Sequence, residues 1–228
     1  MAVIDTLIDK QDTFEIIRDQ IVAILVTESA NQIVLATNAG KPEPNEWKLR
    51  VFKERSNPWE QFLNAPEGVD PDLSPIVNVW YSSSDFDKSR GNVVKRQAAD
   101  AVYNIDIYGF GISESDGATG QKPGDREAAI EVQKAIKLVR NILMAGQNTY
   151  LQLRGTVWGR WPQSITVFQP EELGQAVQQV VGARLALAVT FNEFSPQFTP
   201  STLELLSVDV LRAEDGEIVV EADYDYTL

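Results

Sequence analysis

The stretch Arg184-Leu185-Ala186-Leu187-Ala188-Val189-Thr190-Phe191 alternates without a slip. Leu185, Leu187, Val189 and Phe191 fall on one side, with Ala186, Ala188 and Thr190 on the other. A period of two marks an extended strand with one face against a core, because successive strand side chains point to opposite faces. The segments around it repeat the theme. Upstream, Arg154 to Trp161 sets Val157 against Trp158 and Trp161, Pro162 breaks the run, and Ile165 to Phe168 follows. Downstream, beyond the Pro-punctuated loop Gln197 to Ser201, Leu203 to Leu211 and Glu217 to Tyr224 read as strands joined at Glu214-Asp215-Gly216, a hairpin signal.

A helical period precedes these strands. From Asp125, the residues Ala129, Val132, Ile136, Val139 and Leu143 recur every three or four positions, with Arg126, Glu127, Glu131, Lys134 and Lys137 on more solvated positions. Asp125 is the expected N-cap and Gly146 the expected stop. A second helix starts near Asp12, where Asp12 and Glu15 have capping-box spacing. Phe14, Ile17, Ile21, Ile24 and Leu25 share its apolar face, and Ile33 to Leu35 either continues it or turns to strand before Asn38, Gly40, Pro42 and Pro44. Trp47 to Arg55, Ile76 to Tyr81 and Ala98 to Gly109 read as further strands. Asn57-Pro58 opens a short helical turn through Phe62, and Ala65 to Pro75 is a loop. The polar stretch Ser82 to Gln97 lies between apolar strands and reads as an extended hairpin arm, and Gly111 to Gly124 as a flexible loop. The expectation is one domain over residues 1–228, of α+β class. It consists of a mixed, mainly antiparallel sheet with an N-terminal helix and one long helix packed on it, plus the protruding arm.

Composition narrows the chemistry. The chain has 228 residues and is 43% hydrophobic, enough for a sizeable core, and its formal net charge is -13. Such a surface repels phosphate backbones, so gripping nucleic acid is disfavoured, while an acidic wall past which DNA slides is allowed. There is no His, the commonest general base near neutral pH, and no Cys for thiol, disulfide or thiolate-metal chemistry. No run reaches the roughly 18 apolar residues of a membrane span. The N-terminus lacks the layout of a signal peptide, so a cytoplasmic product, or one that leaves only with a particle, is expected.

The motifs resolve to structure rather than catalysis. Asp85 and Asp87 lie among serines but lack the twelve-residue calcium-loop pattern, so a solvated loop is expected. Gly109-Phe110-Gly111 lacks the third glycine of a phosphate loop and reads as a strand-end turn. Gly111-Ile112-Ser113-Glu114-Ser115 lacks the closing glycine of a nucleophile elbow. Trp47, Trp59, Trp80, Trp158 and Trp161 sit mostly in strand-like segments, where core or interface packing is expected. No catalytic residue, cofactor or metal ligand is assigned.

Several phrases resemble tail-assembly proteins of contractile-tailed bacteriophages. They are Trp47-Lys48-Leu49-Arg50-Val51-Phe52 with Asn57-Pro58-Trp59, and Pro75-Ile76-Val77-Asn78-Val79-Trp80. Further along come Val102-Tyr103-Asn104-Ile105-Asp106-Ile107-Tyr108-Gly109, Leu138-Val139-Arg140-Asn141-Ile142-Leu143-Met144, and Phe191-Asn192-Glu193-Phe194-Ser195-Pro196. Within that group the organisation is similar to a tail terminator, or tail completion, protein. The resemblance implies a virion structural protein with no active site and no cofactor. It implies a ring, usually a hexamer, that caps the tail tube, ends polymerisation and presents a surface to head-completion and neck proteins. Its partners would be itself, the tail tube protein and, in contractile tails, the sheath protein, with DNA only as passing cargo and no membrane. Assembly would occur in the host cytoplasm and the product would reside in the virion. A head–tail joining or baseplate component is the neighbouring alternative, and a soluble small-ligand-binding module the alternative from another class. The arm, through Asp85, Phe86, Asp87, Lys88, Arg90 and Arg96, is the first expected interface; Ile218 to Leu228, with Tyr224 and Tyr226, is the second.

Overall fold

Strict alternation and helical periodicity resolve into these elements in chain order: α1 (Thr13–Asn38), β1 (Arg50–Lys53), β2 (Ile76–Phe86), β3 (Arg96–Ile112), β4 (Glu114–Ser115), β5 (Gln121–Lys122), α2 (Gly124–Met144), β6 (Val157–Phe168), β7 (Gln178–Phe194), β8 (Leu205–Leu211) and β9 (Ile218–Asp225). The computed structural model describes residues 7–8, 10–59, 74–86, 96–112, 114–115, 121–169, 178–194, 205–211 and 218–225; for 114–115, 121–122, 178, 205–211 and 218–225 it describes the backbone alone. The expected α+β class is the observed one. Five strands form a sheet in the order β1-β2-β3-β7-β6. β1 pairs parallel with β2, and the other neighbours pair antiparallel.

β3 and β7 are the spine, each 17 residues long and paired from Arg96–Phe194 to Ile112–Gln178. Their odd-numbered residues from Ala99 to Ile107 and from Val181 to Phe191 are buried in one apolar core with both helices. α2 lies over β3 and β7, and α1 lies over β1 and β2 beside α2. On the opposite face, Ile76, Tyr108, Phe110 and Val180 form a smaller apolar cluster with Phe52, Trp59 and Phe168.

α1 begins as its sequence predicts. The Asp12 side chain accepts from Thr13 N at 2.7 Å, and Glu15 Oε2 accepts from Asp12 N at 3.1 Å, closing the capping box. The helix runs straight through Ile33 to Leu35 to Asn38. By length and composition it would suffice to cross a membrane, which scanning for apolar runs alone did not expect. Ile17, Ile21 and Leu25 are nonetheless fully buried on the sheet. Each such side chain contributes about 1.5–3 kcal/mol by leaving water.

Five local expectations are corrected. The strand expected over Trp47 to Arg55 is only Arg50–Lys53, because Pro44 opens a single 3-10 turn that holds Trp47. Buried Ser29 then fixes the chain's entry to β1, its hydroxyl donating to Trp47 O at 3.0 Å and accepting from Leu49 N at 2.9 Å. The N-cap of α2 is Pro123, not Asp125, which sits inside the first turn and accepts from Arg126 N at 2.8 Å. Gly109 and Gly111 are strand residues rather than a turn, and part of the loop expected from Gly111 to Gly124 is the β4–β5 ladder. Pro162 does not break β6, since the strand bulges there and continues to Phe168. β8 and β9 form the expected hairpin, apart from the large sheet. Residues 60–73, 87–95 and 195–200, which carry the tip of the expected arm and parts of the expected turn and loops, lie outside the described residues.

The two strand glycines explain how α2 sits. A Cβ at Gly109 would stand 2.5 Å from Ala128 O and 2.8 Å from Val132 Cγ2, and one at Gly111 would overlap Gly124 O. Helix backbone therefore rests directly on strand backbone. Gly109→Ala is expected to destabilise the fold by about 1–3 kcal/mol through overpacking, read as a lowered midpoint in chemical denaturation.

At the other end of the sheet, the Thr13 hydroxyl donates to Glu193 Oε1 at 3.1 Å. Burial pushes the Glu193 carboxyl above the ordinary range, and the charge of Asp12 adds to the shift. A carboxyl raised on folding adds stability that is full below its unfolded pKa and is lost as pH rises through its folded pKa. Glu193→Gln is therefore expected to raise the melting temperature at pH 7, by on the order of 1–2 °C. Near pH 4 the difference from the parent should vanish, as paired thermal melts would show.

Candidate interaction surface

β6 is an outer strand of the large sheet and, among the described residues, its far edge has no strand partner. It is long, with 12 residues, and Pro162 is tolerated because an edge position at a bulge requires no ladder donor there. Bulges fall between Val157 and Gly159 and between Pro162 and Ser164, which breaks the simple alternation of its side chains. Val157 enters the core, whereas Trp158 is 60% exposed and Val167 61%, with Trp161 and Ile165 also exposed. An edge strand presenting unpaired backbone groups is normally short, charged or covered. From Gln163 to Phe168 this one carries no charge at all. Large apolar side chains along an open edge mark a surface where another chain packs.

One side chain anchors the first half of β6. Arg160 reaches across to the C-terminal end of α2, donating Nη2 to Ala145 O at 2.7 Å, Nη1 to Thr149 O at 3.2 Å and Nε to Leu143 O. Asn148 Nδ2 donates to Ile142 O at 2.9 Å beside it. The last turn of α2 holds no basic residue of its own, so Arg160 supplies both the missing donors and the cation that a helix C-terminus favours. Burial lowers the guanidinium below its ordinary pKa.

The sheet face away from the helices holds the other concentrated chemistry. Arg184 lies directly opposite Asp106 and grips it with two bonds, Nε to Oδ1 at 2.7 Å and Nη2 to Oδ2 at 2.9 Å. Trp80 Nε1 donates to the same carboxylate at 3.0 Å. The guanidinium sits 4.9 Å from the Trp80 ring and 5.8 Å from the Phe168 ring. Phe168 crosses the sheet over Gly182, where a Cβ would meet its ring at 2.6 Å. A cavity of about 420 Å³ opens here between Arg55, Trp59, Asn78 and Arg184. The hydrogen bonds that Arg184 donates to Asp106 raise the Arg184 pKa, and burial raises that of Tyr108, so neither side chain supplies a proton carrier near neutral pH. A groove of about 600 Å³ runs between α1 and α2, crossed by the Lys134–Glu46 ion pair at 3.2 Å. Among the described residues no cluster of acids is placed to hold a metal ion.

Of the residues expected at interfaces, Asp85, Phe86 and Arg96 lie exposed at one end of the sheet. Asp85 pairs with Asp100, Phe86 with Ala99, and Arg96 with Phe194 on the far side of β3. Asp87, Lys88, Arg90 and Tyr226 lie outside the described residues, and Tyr224 is described only as backbone in β9. Sequence reasoning missed the surface of Trp158, Trp161, Ile165 and Val167. The available signal was Pro162 inside a strand pattern, which points to an edge rather than to a break. No known protein-family model matches the chain, and no curated protein matches it either.

Arg160→Met is expected to lower stability by about 1.5–3 kcal/mol, the usual worth of a hydrogen bond to a charged group. Arg160→Lys should restore only part of it, because a lysine cannot reach three carbonyls with a planar fork. Urea denaturation of the three chains checks both.

Proposed function

We propose that this chain is a structural protein of a contractile-tailed bacteriophage which closes into a ring on the end of the tail tube. There it ends tube and sheath growth and offers its other face to the head-completion proteins. The observation that carries the reading is the edge of β6, which exposes Trp158, Trp161, Ile165 and Val167 and has no strand partner among the described residues. Such an edge is suited to a neighbouring chain rather than to a small ligand. The phrases shared in style with tail terminator proteins supply the setting. A heterologous contact between copies makes a closed ring when the rotation per copy divides the circle, and a closed ring has no growing end. The net charge of -13 suits a lumen past which DNA moves without adhering.

Light scattering of the purified protein, alone and with the matching tail tube protein, tests this. The expected result is a particle of about six copies, free or formed on tubes whose length it then limits. A monomer that neither binds tubes nor limits their length would overturn it.

A further inference from the structure

Among the described residues the large sheet has one long edge without a strand partner, and the same chain carries a hairpin that belongs to no larger sheet. β8 and β9 pair only with each other, from Leu205–Asp225 to Leu211–Ile218. A lone two-stranded hairpin is marginal in water and becomes stable by joining more strands. We infer that the β8–β9 hairpin of one copy adds to the outer edge of β6 on the next copy, carrying the sheet across the subunit boundary. The inference deepens the ring reading, on which it rests, by naming the segment that fills the open edge.

Length, charge and reach point the same way. β8 and β9 have 7 and 8 residues, lengths that suit the 12-residue β6 better than β1, at the other edge, which has only 4. The hairpin is acidic in sequence, with Asp209 in β8 and Glu221, Asp223 and Asp225 in β9. In a chain with 33 acidic residues, most surfaces would repel it. β6 does not, because no Asp or Glu occurs anywhere from Val132 to Pro170. Like charges directly opposite each other destabilise a strand pair, and along β6 the hairpin meets none. Residues 195–204 could span at most about 35 Å, enough for the hairpin to reach its own β6. Yet among the described residues the hairpin does not pair with that sheet, and the outer edge of β6 has no strand partner. The occupant that remains is a second copy.

The absence of cysteine makes the test clean, because every thiol is an introduced one. Full-length Thr166→Cys is mixed with full-length Ser207→Cys or Asp223→Cys and treated with a short bismaleimide. Thr166 is exposed on β6, and Ser207 and Asp223 are paired neighbours in the hairpin. A covalent dimer joining the two kinds of chain is the expected product. Adding Val167→Glu to the β6 partner should cut its yield at least tenfold by repelling the acidic hairpin, while Val167→Lys should preserve it. No mixed dimer, or linkage only within chains that carry both cysteines, overturns hairpin exchange. So does equal loss with Val167→Glu and Val167→Lys, because that would make the contact merely apolar. A ring seen by light scattering without the cross-link would leave the capping reading standing and remove this one. Cross-linked copies that never limit tube length would do the reverse.

Discussion

Helix α2 lies against β3 at a separation that only glycine permits at positions 109 and 111, with the carbonyls of Ala128 and Gly124 where a Cβ would be. The consequences run the length of the helix. With its first turns seated on that strand end, its other end, at Met144, comes within reach of β6, and Arg160 gathers the carbonyls of Leu143, Ala145 and Thr149. That tie holds the first half of β6 against the body of the protein. In the second half Phe168 packs on the opposite face of the sheet, while Ile165 and Val167 are exposed.

The two faces of the sheet divide the work of folding. The helix-covered face is apolar and accounts for most of the burial. The other face carries the Arg184–Asp106 pair between directly opposed residues of β7 and β3. Asp106 is buried and Arg184 only half-buried, so the pair adds little net stability after desolvation, yet leaving the buried carboxylate unpaired would be costly. A slip of one residue between the central strands would carry Asp106 into the apolar layer under the helices. We take its role to be fixing the register, with Trp80 and Phe168 holding the guanidinium flat.

Much of this fold was legible in residue order, because strand and helix periods are local properties. Leu185 to Phe191, Ile76 to Tyr81, Ala98 to Gly109, the Asp12–Glu15 box and the β8–β9 hairpin all follow from spacing alone. What escaped was set over longer distances. Trp158 and Trp161 sit three apart across a bulged strand, so no simple alternation assigns them a face, and only the position of β6 in the sheet exposes them. Arg160 looks like any strand arginine until the end of α2 is placed beside it. Asp125 had a capping residue's chemistry, but the helix started one residue earlier, at Gly124, whose backbone packs on Gly111. The resemblance to tail terminator proteins pointed to the arm and the C-terminal segment as contacts, and did not single out the exposed apolar side chains of β6.

The two bulges of β6 carry a consequence for how such an edge behaves in a crowded cell. A bulge bends its strand and steepens the local right-handed twist. Fibrils need the opposite, flat strands stacked in register without interruption and without proline. Interrupted at Gly159 and again beside Pro162, β6 can accept a strand shaped to its coil but makes a poor template for endless copies of itself. The same irregularities that hid the surface from the sequence make this edge a poor seed for aggregation.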